Sequence, residues 1–186
     1  SGCDSFTDLP PISERNTAEY YDEPQEFEVA LNGAYSALQD EGTYGQNYWM
    51  LFEMRSDNTD QGADVTGLAR ALAVINDFEE ATTSPELQEA WSASYRGIER
   101  ANLISDRIGD LEADQAFKDQ IRGEALFIRS LLYYNLAVAF GNITLKLEPT
   151  PATDPGSSVQ GDPLQVPASA VYNHIAADLE KAQELL

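Results

Sequence analysis

The chain has 186 residues and a formal net charge of −21 at pH 7, with 32 acidic residues against 11 lysines and arginines. This acidic excess argues against nucleic-acid binding, because neutralising phosphates requires lysine and arginine, and also against electrostatic docking to an anionic membrane surface. The length favours one domain, with two small ones possible, and a hydrophobic content of 42% fits a globular protein. The single cysteine excludes an intrachain disulfide, and no uncharged apolar window is long enough to span a bilayer.

Residues 1–24 are predicted to form an extended leader, because Pro10, Pro11 and Pro24 prevent a regular helix there. Cys3 lies within this leader and follows two small residues. Two interpretations of Cys3 stay open at this point. It is either an incidental free thiol or the lipid attachment site of a bacterial lipoprotein, whose signal peptide is cleaved just before such a cysteine.

Residues 25–41 are predicted to form an amphipathic helix that ends at Gly42. Apolar residues recur there at spacings of three and four, and Glu26 and Glu28 suit the positive N-terminal turn of a helix. The residues of this apolar stripe are Phe27, Ala30, Leu31, Ala34, Tyr35 and Leu38.

Residues 43–85 have the least regular pattern in the chain. Four aromatic side chains crowd into nine positions and are followed by a polar loop over 56–64. Leu68, Leu72 and Ile75 have helical spacing, but the segment is short. The aromatic side chains are Tyr44, Tyr48, Trp49 and Phe52.

Two long helices are predicted next, over 85–109 and 113–140. Pro85 suits the first position of a helix, and so short a connection requires the two helices to lie antiparallel. The second helix is apolar almost all the way round from Ala125 to Phe140, so we predict that other helices surround it. The buried stripe of the first helix comprises Leu87, Trp91, Tyr95, Ile98 and Asn102.

Gly141 and Asn142 are expected to end the long helix, since glycine adopts the left-handed conformation at little steric cost. A proline-rich loop over 143–167 follows, and loops of this length are usually functional or flexible. A final amphipathic helix begins after Pro167. The spacing of the long helices is close to a tetratricopeptide unit of about 34 residues. We therefore predict an all-α fold of tetratricopeptide-like antiparallel helix pairs with long loop excursions.

Five motifs, in this order, resemble signatures of the SusD/RagB family of glycan-capturing outer-membrane lipoproteins of Bacteroidetes. Each motif alone is weak, but five in the right order along nearly the whole chain are specific. The motifs are Cys3-Asp4-Ser5-Phe6, Phe27 with Ala30-Leu31-Asn32-Gly33-Ala34-Tyr35, Trp91 and Tyr95 with Arg100-Ala101-Asn102, Gly123-Glu124-Ala125 with Phe127-Ile128-Arg129 and Phe140-Gly141, and Tyr172 with Ile175 and Asp178-Leu179.

The chain also departs from the family pattern. A proline usually leads into the loop where Ile143 and Thr144 stand, and family members are usually more than twice this long. The resemblance therefore implies that residues 1–24 are a leader and lipid tether. It implies that residues 25–186 are the N-terminal helical part of a SusD-like protein, with the C-terminal half absent.

The resemblance implies a lipoprotein anchored through Cys3 at the surface of the outer membrane. Such a protein binds oligosaccharides and passes them to a TonB-dependent, SusC-like transporter, without enzymatic activity and without a cofactor. In the family, part of the ligand contact comes from the segment after the first helix. Aromatic rings stack on sugar faces and polar groups orient hydroxyls. The predicted glycan-binding residues are Tyr48, Trp49, Arg55, Asp57, Asn58 and Asp60.

Competing interpretations of these side chains stay open. Trp49 and Phe52 equally suit a hydrophobic core, and the stripe position of Trp91 and Tyr95 favours core packing over a ligand platform. The protein would then be a helical scaffold that contacts the transporter without binding sugar. An enzyme such as a glycoside hydrolase is the least supported alternative.

Polar residues elsewhere indicate structure rather than catalysis. Glu124 and Arg129 on the long helix predict internal polar bonds, because an unpaired buried charge is costly. His174 is predicted to be a partly covered surface residue. A single histidine and the distant Cys3 do not form a nucleophile pair, and no phosphate loop or nucleophile elbow is present.

Asp57, Asp60 and Asp64 also suggest a cation loop. The spacing does not match an EF-hand, which needs a glutamate at position twelve, where Leu68 stands. An irregular calcium site stays open as an alternative, and no metal ligand is assigned.

Overall fold

The computed structural model describes residues 20–60, 62, 66, 68–150 and 165–186. Within these residues every regular element is a helix, which confirms the predicted all-α fold, and the single β feature is an isolated antiparallel bridge between Ile143 and Val166. Most of the predicted leader, including Cys3, and loop residues 151–164 lie outside the described part. The α-helices are α1 Pro24–Ser36, α2 Asn47–Met54, α3 Leu68–Asn76, α4 Pro85–Arg107, α5 Gln115–Phe140 and α6 Ala168–Leu185.

The first helix is shorter than the sequence pattern predicts. α1 ends at Ser36. The chain then forms a 3₁₀ turn over Ala37–Gln39 and an irregular turn over Glu41–Gly45, in which Thr43 has non-helical backbone angles. A Cβ atom on Gly42 would lie 2.5 Å from the Cβ of Ala93 on α4, far inside van der Waals contact. Gly42 therefore allows the chain to approach α4 closely and turn against it, which a regular helix through this point would prevent.

α1 packs against both long helices. The Tyr35 hydroxyl donates a hydrogen bond of 2.8 Å to the Glu124 carboxylate on α5. The Arg100 guanidinium on α4 donates to the Gly33 carbonyl at 2.7 Å. The internal bond predicted for Glu124 is thus formed, although this carboxylate is only half-buried.

Helices α4 and α5 lie antiparallel, as predicted, and α6 packs antiparallel to α5. The start of α4 meets the end of α5, where the Trp91 and Phe140 ring centroids are 5.2 Å apart. Farther along, Tyr95 on α4 lies against Tyr133 on α5, with centroids 6.4 Å apart. Trp91 and Tyr95 are partly buried against the main core, which confirms their predicted packing role.

No helix of the described ranges has both the length and the hydropathy needed for a bilayer crossing.

α5 is buried on most of its circumference but not on all of it. Phe127, Tyr134 and Val138 remain 46%, 50% and 47% exposed. The prediction that helices surround α5 on every side is therefore wrong for this stripe in the described part of the chain. The neighbouring helices cover the arc that carries Ile128 and Leu132, which are fully buried, whereas at this stripe the ring of Tyr134 lies at the edge of α6, against Tyr172.

A buried ion pair joins α5 to α6. Arg129 donates two hydrogen bonds to the Asp178 carboxylate, at 2.8 Å and 2.9 Å, and a third to Oδ1 of Asn102 on α4 at 2.8 Å. This confirms the internal bonds predicted for Arg129. His174 is partly covered, as predicted, and its Nε2 lies 3.1 Å from Asp178 without the alignment of a hydrogen bond. Burial alone would raise the pKa of Asp178, but the neighbouring His174 and Arg129 outweigh it and lower that pKa.

The first part of the predicted loop is held against the helices. The Lys146 N–H donates to the Tyr133 hydroxyl at 2.8 Å, and Asn102 Nδ2 donates to the Lys146 carbonyl at 3.1 Å. The Thr150 N–H donates to the Glu99 carboxylate at 2.7 Å. Residues 143–150 are therefore fixed by α4 and α5 rather than free.

Candidate functional site

The segment between α1 and α4, residues 37–84, is called the excursion below and has a small core of its own. α2 packs on the start of α4 and α3 packs on α2, and the turn after α2 lies beside the C-terminus of α3. Tyr48 is 1% exposed, and its hydroxyl bonds to the Ser94 hydroxyl on α4. Burial raises its pKa well above the usual value. Because its ring belongs to this core, whose buried members are Tyr48, Met50, Leu51, Met54, Ile75 and Ala90, we exclude it from the candidate site.

A cleft of about 480 Å³ opens between the turn over 55–60 and the end of α3. It unites four of the six predicted glycan-binding residues: Arg55, Asp57, Asn58 and Asp60. The described residues that line it are Arg55, Ser56, Asp57, Asn58, Thr59, Asp60, Asn76 and Phe78.

Phe78 lies at this cleft in an unusual backbone conformation. Its φ angle is +56°, in the left-handed region, and its side chain is 67% exposed. The Glu79 N–H donates to the Val74 carbonyl at 2.9 Å and the Phe78 N–H donates to the Ile75 carbonyl at 3.2 Å. These two bonds form a Schellman motif, in which glycine usually occupies the position that Phe78 takes here.

The conformation of Phe78 is costly for the fold. A left-handed backbone at a residue with a Cβ is unfavourable by about 1–2 kcal/mol, and exposure of an apolar ring returns little hydrophobic stabilisation. A strained residue that contributes little to the core is a reason to look for a function. The combination of this ring with carboxylates and amides in one cleft is suited to a ligand that has both an apolar face and hydroxyl groups.

Arg55 forms the inner wall of the cleft. Its Nε donates to the Glu80 carboxylate at 2.8 Å, its Nη2 forms an ion pair with the same carboxylate, and its Nη1 donates to the Ala139 carbonyl at 3.2 Å. The Glu80 side chain is 8% exposed. Arg55 therefore ties the excursion to the end of α5, and its predicted role as a sugar contact is shared with this structural one.

The turn is ordered by its own polar groups. The Ser56 hydroxyl donates to the Glu53 carbonyl at 2.8 Å and accepts the Asn58 N–H at 3.3 Å. Asp60 accepts the Gly62 N–H at 2.6 Å. These bonds fix the backbone of the turn, and the side chains of Asp57 and Asn58 are exposed toward the cleft and solvent.

Trp49 lies apart from the cleft lining. It is 52% exposed on the surface of α2, so the alternative that places it in the core does not hold, whereas Phe52 is partly buried against the small core. Within the described ranges, no three His, Cys, Asp or Glu side chains are grouped so as to hold a metal ion. Asp64 of the alternative calcium loop lies outside the described residues.

The sequence patterns missed Phe78 and Asn76. Phe78 follows Ile75 by three residues, so the helical period places it on the apolar stripe of α3. Only the end of the helix at Asn76 and the left-handed turn move its ring away from the core. The acidic residues on both sides of it, Asp77 and Glu79, were a signal that this aromatic lies at the surface.

Comparison with known proteins gives related chains that are longer. A model of the SusD-like family, described as "Starch-binding associating with outer membrane", matches residues 7–186. The chain is 24% identical over 185 residues to SusD-like protein P2 of Formosa agariphila and 28% identical over 159 residues to SusD-like protein P25 of that organism. These alignments cover 100% and 79% of this chain but 35% and 29% of the relatives. The chain thus spans about a third of their length.

Solved structures share the fold. A laminarin-binding SusD-like protein is 26% identical with a TM-score of 0.72, covering 87% of this chain and 34% of that one. A SusD-like protein from Bacteroides fragilis is 22% identical with a TM-score of 0.73, covering 90% of this chain and 30% of that one. The resemblance that the motifs indicated is confirmed.

Proposed function

We propose that this chain, which belongs to the SusD-like family, binds oligosaccharides in the cleft formed by residues 55–60, Asn76 and Phe78. The observation that carries the proposal is Phe78, an exposed ring in a strained conformation beside carboxylates and amides. A sugar offers an apolar face to such a ring and hydroxyls to the polar groups around it. The description of the family as starch-binding and the laminarin-binding structure support this assignment.

The proposed roles follow from the chemistry of each side chain. Phe78 stacks on one sugar ring, and the carboxylates of Asp57 and Asp60 accept hydrogen bonds from hydroxyls. The side-chain amides of Asn58 and Asn76 both donate and accept hydrogen bonds, so each pairs with a sugar hydroxyl that acts either as acceptor or as donor. Arg55 keeps the wall in place through its bonds to Glu80 and to the Ala139 carbonyl.

Isothermal titration calorimetry with laminarin and soluble starch tests the proposal. The purified chain is expected to bind at least one of them, and Phe78→Ala is expected to weaken binding about tenfold or more. Trp49→Ala is the matched control, because it removes an exposed aromatic outside the cleft and is expected to leave affinity unchanged. Far-UV circular dichroism checks that each variant is folded. Equal affinity of Phe78→Ala and the wild type, or no binding of any glycan in a broad panel, would contradict the proposal.

We further propose that Cys3 carries a lipid anchor and that the protein passes its sugar to a TonB-dependent, SusC-like transporter without cleaving it. The association of the family with the outer membrane supports this location. In cells that produce the full-length protein, Cys3→Ser is expected to abolish palmitate incorporation and to shift the protein out of the outer-membrane fraction. Incubation with laminarin is expected to release no reducing sugar, and any turnover would contradict a binding-only role.

The alternative is a scaffold that contacts the transporter and binds no sugar. One observation favours it, namely that the exposed stripe of α5 continues onto α6. Tyr134 of α5 and Tyr172 of α6 have ring centroids 6.4 Å apart, and Leu179 of α6 is 39% exposed. Under this alternative, Tyr134→Asp in the full-length protein abolishes co-purification with the transporter, and no glycan binds. Sugar binding that depends on Phe78 would reject it.

A further inference from the structure

We propose that the cleft selects uncharged oligosaccharides and discriminates against glycans that carry carboxylate or sulfate groups, an inference that rests on the proposed sugar-binding function. The basis is the charge distribution of the cleft. Two carboxylates lie at its rim, and the one cation among the described lining residues is already paired.

The positive charge of Arg55 is neutralised by Glu80 in the wall of the cleft. Glu80 accepts from both Nε and Nη2, and because its side chain is 8% exposed, water screens this pair little. Nη1 is directed to the Ala139 carbonyl. An incoming anion therefore meets a neutral ion pair rather than an available guanidinium charge, and taking Arg55 from Glu80 would leave a nearly buried carboxylate unpaired.

The rim has the opposite sign. Asp57 and Asp60 are both exposed, and within the described part of the chain neither takes part in an ion pair. Asp77 and Glu79 flank Phe78 in the sequence and add to the acidic character of this segment. A carboxylate or sulfate ester held at hydrogen-bond distance from the lining would be repelled by these side chains, whereas a hydroxyl would donate to them.

The same carboxylates thus favour neutral sugars and oppose anionic ones. A carboxylate acceptor strengthens the hydrogen bond from a hydroxyl and at the same time opposes an anionic analogue in the same position. The net charge of −21 adds a weaker repulsion at long range. Uncharged oligosaccharides are therefore the class of ligand that the cleft fits.

A second cleft of the chain provides an internal contrast. Arg96, Arg100 and Lys146, together with Glu99, line a separate cleft of about 410 Å³ between α4 and the loop. Arg96 is paired with Asp40 and Glu89, which leaves Arg100 and Lys146 against Glu99. An anionic polymer that binds the chain through charge is therefore expected to bind at this second cleft. Any test of the proposal therefore has to assign binding to one cleft by mutation.

The test compares laminarin with sulfated laminarin, and soluble starch with carboxymethyl starch, by calorimetry at low ionic strength. Each pair shares a backbone and differs in charge. The wild-type chain is expected to bind the neutral member of each pair, and Phe78→Ala is expected to weaken that binding. The part of the binding of the charged member that Phe78→Ala also weakens is expected to have an affinity at least about tenfold lower than that of the neutral member. Arg100→Ala reports binding at the second cleft.

The double variant Asp57→Asn with Asp60→Asn sharpens the result. Both residues are exposed, so the fold is expected to be retained, and the difference between charged and neutral polymers is expected to narrow several-fold. Equal or tighter binding of the charged polymer, lost in Phe78→Ala, would overturn the selectivity and leave the proposed function intact. Absence of any Phe78-dependent glycan binding would instead overturn the proposed function and, with it, this inference.

Discussion

Two arginines show how the helical frame, which consists of α1, α4, α5 and α6, differs from the excursion that carries the cleft. Arg129 lies between α4, α5 and α6 with its side chain 8% exposed, and it bonds to Asp178, Asn102 and a loop carbonyl. Arg55 lies at the surface of the excursion, 21% exposed, with its donors divided between Glu80 and the end of α5. The first joins elements of the core, and the second supports a wall beside which polar groups stay open to a ligand.

The difference teaches where stability and function reside in this chain. In the frame, Arg129 and Asp178 are buried as partners, and removal of either is expected to affect the fold. In the excursion, Asp57, Asn58 and Phe78 face the cleft, and their removal is expected to affect binding far more than folding. The predictions that follow test this division, and they range from a large loss of stability to a small gain.

The largest effect is expected for Asp178→Asn. The substitution keeps the shape of the side chain but leaves the Arg129 charge unpaired in the core, which costs about 3–5 kcal/mol of unfolding free energy. Urea denaturation followed by circular dichroism measures it. Glu184→Gln is the control, because this exposed carboxylate pairs with the exposed Lys181 and is expected to change stability by less than about 0.5 kcal/mol. A loss below about 1 kcal/mol for Asp178→Asn would contradict the assigned role of the ion pair.

The same ion pair is expected to weaken in acid. The fold lowers the pKa of Asp178, so its ionised form stabilises the native state at any pH above the ordinary aspartate pKa of about 3.9. This contribution is lost as pH falls through the lower pKa of the folded state. The stability gap between wild type and Asp178→Asn is therefore expected to shrink below about pH 4. A gap that stays constant down to pH 3 would show that ionisation of Asp178 is not its source.

A smaller loss is expected for Glu80→Gln in the excursion. The amide can still accept one hydrogen bond from Arg55, and Arg55 is partly exposed, so the expected cost is about 1–2 kcal/mol. The measurement is the same urea titration, with Asp178→Asn as the reference. If Glu80→Gln destabilised the chain as much as Asp178→Asn, the excursion would have to be counted as part of the frame.

The smallest effect has the opposite sign. Phe78→Gly relieves the left-handed strain at the Schellman position and is expected to stabilise the chain by about 1 kcal/mol, or about 2–4 °C in melting temperature. The same variant is expected to lose glycan binding. Phe78→Ala is the comparison, since alanine removes the ring but keeps the Cβ that causes the strain. A destabilised Phe78→Gly would show that the ring supports the fold after all.

Much of the frame is predictable from sequence because its signals are local and repeated. The apolar periods of α4 and α5 predict their bounds within two residues at each end, and the short connection between them predicts their antiparallel packing. The positive φ angle of Gly141, 75°, also follows from the glycine at the end of α5. What periodicity cannot reveal is which arc of an apolar helix its neighbours cover, so the exposure of Tyr134 was missed.

The site was predictable only in part, for reasons of backbone geometry. The polar turn over 55–60 follows from its composition. Tyr48 and Trp49 are neighbours on α2 and point about 100° apart, so one is buried and the other exposed. In a helix of eight residues with little polar content, the sequence does not show which one faces inward. The exposure of Phe78 depends on where α3 ends and on a single left-handed residue, which no hydrophobic pattern encodes.

The unequal surroundings of the two tryptophans provide an optical readout. Trp91 packs between Tyr95 and Phe140 in the frame, whereas Trp49 is half-exposed to water. They are the only tryptophans in the sequence, so Trp49→Phe leaves an indole whose fluorescence reports on the frame alone, with a blue-shifted emission expected in the native state. Since Phe140 directly follows Ala139, whose carbonyl accepts from Arg55, quenching or spectral shifts of Trp91 would also register whether ligand binding at the cleft affects the long helix.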